Sequence, residues 1–90
     1  MKGTITGHLS SQKERVGTRS EGPEYYIEPT DNYKERWKII HVRKQTHKWQ
    51  EDPNLQSLVN KEVEIIADII ETRTSITIDY FEVKEKRKGD

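Results

Sequence analysis

Between Trp37 and Trp49 the chain reads WKIIHVRKQTHKW, a cluster of large apolar side chains that gives way to a basic run closed by a second tryptophan. Trp37, Ile39, Ile40 and Val42 are what a buried strand uses, whereas the run from His41 onward has no use in a core and must face something else. Residues 34–49 hold six Lys or Arg and one Glu, while residues 1–33 hold four and five and residues 50–90 hold six and ten. A chain of formal charge zero thus gathers its positive charge in one stretch. Rings beside Lys and Arg suit a single strand of nucleic acid, because aromatic faces stack bases at about 1 to 3 kcal/mol each and cations neutralise phosphates. The competing use is plainer. Trp37 fills the interior, Trp49 caps the bottom of the domain, and the cations keep an outer face soluble.

Other chemistries find less to work with. His41 and His47 stand six residues apart and His8 is distant, so the chain lacks the close ligand spacing of structural zinc sites, and no metal or other cofactor is expected. Zero cysteine removes thiolate ligands, disulfides and thiol nucleophiles together, which fits a reducing compartment. Ser10, Ser11, Ser20, Ser57 and Ser75 sit in no nucleophile-elbow context, and no base or oxyanion donor is identifiable beside them, so an enzyme is not expected. The glycines of RVGTRSEGPE precede no strand-to-helix transition and form no phosphate loop; they let a binding loop flex.

The elements that must position the basic run are short and polar. Ninety residues close one core, and with 30% hydrophobic against 36% charged residues that core is small and set by alternation. No window approaches the roughly 18 apolar residues of a membrane span, and the N-terminal stretch lacks a secretory apolar region, so a cytoplasmic protein is expected. Residues 3–9 alternate as a half-buried strand. Residues 10–24 form a long loop or ragged hairpin, punctuated by Gly17, Gly22 and Pro23. A second short strand, YYIE at 25–28, stops at Pro29, and a third is expected over 34–44. There the alternation slips, since Trp37 and Ile39 share one face and Ile40 and Val42 the other, and a β-bulge near Ile39 and Ile40 would repair it. Asp52 reads as an N-cap with Pro53 in the first helical position, and Leu55, Leu58 and Val59 share one face of a turn or two of helix ending at Asn60. Residues 61–71 form a long central strand with Val63, Ile65, Ala67 and Ile69 inward, and residues 76–83 form a fifth that changes phase at Phe81. The domain is expected to span residues 1–85, with 86–90 a charged, frayed tail.

Three strands, a short helix and two further strands would leave a flat sheet with two open edges and an uncovered face, and closure into a barrel removes both problems. With DPNLQSLVNKEVEIIADIIETRTSITIDYFEV, a capped helix running through LVNKEVEI into a final strand pair, the chain resembles the oligonucleotide/oligosaccharide-binding fold. That is an all-β, five-stranded Greek-key barrel with one short helix between strands three and four. Asn60 stands where the pattern has a glycine after the helix, and Asn tolerates the left-handed conformation. An SH3-like barrel is the alternative architecture.

The resemblance implies a non-catalytic module binding an extended ligand across strands two and three, framed by the loops after strand one and between strands four and five. Carried over by position, the ligand-facing residues are Tyr25 and Tyr26 on strand two and Arg36, Trp37, Lys38, His41, Arg43 and Lys44 on strand three. Lys13, Arg15 and Arg19 fall on the first loop, Lys48 beyond strand three and Arg73 on the last turn. Neighbouring tyrosines on a strand point opposite ways, so one of Tyr25 and Tyr26 belongs to the core. The acidic residues of strands four and five, Glu62, Glu64, Asp68, Glu71, Asp79 and Glu82, read as a solvated face that repels nucleic acid. Two rival functions stand beside single-stranded nucleic acid binding. One is a protein-interaction module or homo-oligomer using apolar residues in the opposite phase, Ile40, Val42, Ile66, Ile70, Phe81 and Val83; the other is oligosaccharide recognition through Tyr25, Tyr26 and Trp37.

Overall fold

Alternation places the core. The inward positions Ile5 and Leu9, Tyr25 and Ile27, Ile40 and Val42, Val63, Ile65, Ala67 and Ile69, then Ile76, Ile78 and Tyr80, are all buried and form one cluster. In the structure, a computed structural model that describes residues 1–13, 23–46 and 50–86, these positions line the inside of a closed five-stranded barrel in the order β1-β2-β3-β5-β4. The strands are β1 (Lys2–Lys13), β2 (Pro23–Pro29), β3 (Ile40–Arg43), β4 (Glu62–Glu71) and β5 (Ile76–Glu85). All neighbours are antiparallel except β3 and β5, which run parallel.

β1 closes the barrel by serving two neighbours. Its first half, Lys2 to His8, pairs with β4, and its second half, Gly7 to Lys13, pairs with β2. Gly7 sits where the partners change, and a Cβ there would lie 2.2 Å from the carbonyl oxygen of Glu28, so only glycine lets the two backbones approach this closely.

The two phase slips have different origins. The third strand is shorter than the 34–44 expected, because Asn32–Glu35 form a 3-10 turn instead. Asp31 nucleates that turn by accepting hydrogen bonds from the Tyr33 and Thr6 amides, both at 3.0 Å. No bulge is needed at Ile39 and Ile40; the strand begins at Ile40, leaving Trp37 half-buried against the core from outside and Ile39 exposed. In β5 the slip is a bulge: Ile66 opposes Glu82 and Ala67 opposes Tyr80, so Phe81 has no opposite residue and turns outward.

Helix α1 (Pro53–Gln56) lies between β3 and β4, with Asp52 as N-cap and Pro53 opening it. Leu55 is buried and Leu58 and Val59 pack half-buried against the core, so this segment closes one end of the barrel. Asn60 adopts φ 71° and reverses the chain, its amide donating to the Leu9 carbonyl at 2.7 Å while the Leu9 amide donates to Lys61 at 3.0 Å. Among the described residues no helix is long and apolar enough to cross a membrane.

Candidate nucleic-acid interface

The inward phase of β2 is set by Ile27, which decides between the two tyrosines. Tyr25 is fully buried, and its hydroxyl donates to Gln56 Oε1 at 2.7 Å and accepts from the Asp52 amide at 3.2 Å. Tyr25 is therefore a structural residue tying β2 to α1, and its expected place on a ligand-facing surface is corrected. Tyr26 has the outward position. It stands opposite Ser10 of β1 and His41 of β3, with its ring 5.3 Å from the His41 ring at 40°. Ser10, Tyr26, His41 and Thr77 thus form one row across the outer faces of β1, β2, β3 and β5.

Two basic side chains of this surface have carboxylates beside them. His41 Nε2 lies 3.0 Å from Glu24 Oε2, and Arg43 Nε forms an ion pair with Asp79 Oδ1 at 3.2 Å. Lys44 reaches along the chain to donate to the Gln50 carbonyl at 2.6 Å. Because β3 and β5 run side by side, Arg43 and Asp79 are opposite each other, and Asp79 neutralises this face instead of merely solvating β5. Glu24 sets a second carboxylate on this face from β2. Exposed pairs of this kind are worth about 0 to 1 kcal/mol each, so they weaken but do not forbid capture of Arg43 by a phosphate.

The start of β3, the start of β5 and the end of β4 meet at one end of the barrel, and four candidate residues gather on the chain segments there. Trp37 donates its indole N–H to Glu71 Oε2 at 2.7 Å, and the Arg36 guanidinium reaches the same oxygen at 3.1 Å while lying 5.9 Å from the Trp37 ring. Glu71, the last residue of β4, thereby holds the β2–β3 connection to the β4–β5 turn. That turn is ordered by Thr72, whose hydroxyl accepts from the Thr74 and Ser75 amides at 3.3 and 3.0 Å and whose amide donates to the Ser75 carbonyl at 2.8 Å. It presents Arg73 to solvent. Lys38 and Arg73 are exposed and have no partner among the described residues.

The described candidates therefore fall into two groups, Tyr26, His41 and Arg43 on the strands with Lys44 just past the end of β3, and Arg36, Trp37, Lys38 and Arg73 at the rim. The Lys13 side chain, Arg15, Arg19 and Lys48 lie outside the described residues, as do His47 and Trp49. Sequence reading missed Glu24, Glu71 and Asp79 as partners of this surface, because each pairing depends on strand register and none on local spacing. Of the opposite-phase apolar set, Ile40 and Val42 are buried, Ile66 and Val83 are half-buried, and Ile70 and Phe81 are exposed. No group of three or more metal-ligating side chains occurs among the described residues. No protein-family model, curated protein or solved structure matches this chain.

Proposed function

We propose that the chain is a non-catalytic module of the oligonucleotide/oligosaccharide-binding kind that holds a single strand of nucleic acid along the outer faces of β2 and β3. The supporting observation is the Tyr26–His41 ring pair, set on the outer face between the basic side chains Arg43 and Lys44 on one side and Arg36, Lys38 and Arg73 at the rim. Two rings at this separation offer a platform on which a base can stack, and flexible cations at either end suit the phosphates that flank it. The closed order β1-β2-β3-β5-β4 with α1 between β3 and β4 is compatible with that fold.

Fluorescence anisotropy with DNA and RNA oligomers of about 12 nucleotides tests the reading. Four cations engaging phosphates, Lys38, Arg43, Lys44 and Arg73, give a log–log salt slope near −3. Replacing Tyr26 with Ala removes one stacking surface and weakens binding about tenfold or more without loss of fold. The pair Arg43→Glu and Lys44→Glu weakens it further. Absence of binding to both polymers at low salt overturns the proposal, and unchanged affinity in these variants removes this surface from it.

A protein-interaction role is the second reading. It is favoured by Phe81, 59% exposed on its bulge, and by Ile39 and Ile70, 44% and 43% exposed.

A further inference from the structure

A strand inside a closed barrel needs a neighbour on each side along its whole length, and among the described residues β5 has one on only part of its second side. Toward β4 it pairs from Ile76 to Glu85. Toward β3 it pairs only at Thr77, Ile78 and Asp79, after which Gln45 Nε2 donates to the Tyr80 carbonyl at 2.8 Å. From Phe81 to Glu85 no described main-chain group bonds to the side away from β4. The Lys86 amide donates to the Glu62 carbonyl at 2.8 Å, which makes 62 and 86 a hydrogen-bonded pair. In an antiparallel ladder bonded and non-bonded pairs alternate, so the amide and carbonyl groups of Val83 and Glu85 turn to the open side. Beside them runs a groove of about 180 Å³ lined by Asn54, Tyr80, Phe81, Glu82 and Val83.

We propose that a second copy of this chain occupies this edge, its β5 pairing antiparallel to the first across a two-fold axis at Val83. Charge order selects that partner. The segment reads Phe81-Glu82-Val83-Lys84-Glu85, so an antiparallel copy centred on Val83 sets Glu82 opposite Lys84 of the second copy and Lys84 opposite its Glu82. Charged residues on an open edge ordinarily repel foreign strands. Here they match their own reverse, so the device that excludes other chains admits this one. Glu82 has no ion-pair partner among the described residues, and Lys84, bonded to Glu64 at 3.3 Å, keeps 65% of its side chain exposed and can serve both carboxylates. The pairing is isologous: Val83 of each copy exchanges both main-chain bonds with the other, and Phe81 of each is brought against Glu85 of its partner. Five residues a side bury well under the roughly 1,200 Å² of a stable interface, which places the dimer in the micromolar range or weaker. It is independent of the nucleic-acid reading, since it uses the half of β5 that β3 does not cover.

Sedimentation equilibrium from micromolar to millimolar protein should show the mass rising from 10.7 kDa toward twice that value. The Val83 and Glu85 amides should exchange quickly in dilute solution and slowly when concentrated. Glu82→Lys and Lys84→Glu each place like charges across the axis and should abolish self-association, while an equimolar mixture of the two variants should restore a dimer. Both side chains are exposed, so each variant keeps the fold, which the amide spectrum verifies. A strict monomer at millimolar concentration overturns the proposal, and so does a dimer that survives both single reversals.

Discussion

Asp52 is the buried polar residue on which the closed end of the barrel depends, at 1% exposure. One carboxylate oxygen accepts from the Tyr80 hydroxyl at 2.5 Å and the Gln45 amide at 3.0 Å; the other caps α1 through the Asn54 and Leu55 amides at 3.0 and 3.4 Å. Its own amide donates to the Tyr25 hydroxyl, so a single residue joins β2, the exit of β3, α1 and β5. Among the described residues no buried side-chain nitrogen or oxygen lacks a partner, the Asp52 carboxylate included. Asp52→Ala removes the cap and strands the Tyr80 hydroxyl, and should cost about 3 kcal/mol or more in urea unfolding. Asp52→Asn keeps the shape but exchanges one acceptor oxygen for a donor, and should cost about half as much. A cost for Asp52→Ala below about 1 kcal/mol would show that other groups carry the closure. The cap itself was legible, since Asp before Pro at the head of an apolar helical face is a local signal. Its bond to Tyr80 was not, because that partner lies 28 positions along the chain.

At the scale of the strand, the same sequence signal produced two different structures. A change of apolar phase marks both Ile39–Ile40 and Tyr80–Phe81, and periodicity alone reports only that alternation fails. At the first site the 3-10 turn capped by Asp31 claims residues 32–35 and delays the strand to Ile40; at the second β4 continues opposite and the ladder absorbs Phe81 as a bulge. The deciding facts are a hydrogen bond from Thr6 to Asp31 in one case and the length of β4 in the other, and neither is local to the slip. Gly7 poses a related problem. It falls in phase with Ile5 and Leu9 along β1, and nothing local to it shows that two backbones meet there. Gly7→Ala should destabilise the barrel by about 3 kcal/mol, because the added methyl meets the Glu28 carbonyl oxygen at 2.2 Å and its carbon at 2.8 Å, and main chain cannot step aside cheaply. Chemical denaturation checks this; a loss under about 1 kcal/mol would mean that β1 bends elsewhere.

For the whole molecule, closure was legible from strand count and the shortage of apolar residues to cover a flat sheet, but the electrostatic character of the candidate surface was not. Within residues 34–49, Arg36 is met by Glu71 and Arg43 by Asp79, while Glu24 stands beside His41, so carboxylates from three other strands offset part of the basic charge of this stretch. What the closed barrel imposes on its interior is read more directly at high pH. Burial, and then the hydrogen bond to the Asp52 carboxylate, push Tyr80 up to about 12; burial also raises Tyr25, partly offset by the bond from the Asp52 amide. Both phenols stay neutral in the folded barrel at pH values where an unfolded tyrosine, at about 10, has ionised. Their contribution is fully present below about pH 10 and is lost as pH rises through the folded values, because the unfolded chain then binds fewer protons than the native one. For Tyr80 the gap amounts to about 2 to 3 kcal/mol by pH 12. Urea midpoints measured from pH 9 to 12 should therefore fall steeply above about pH 10. Tyr80→Phe should be less stable at neutral pH, having lost its bond to Asp52, yet show a shallower alkaline decline. An equally steep decline in that variant would place the alkaline sensitivity outside the Tyr80–Asp52 pair.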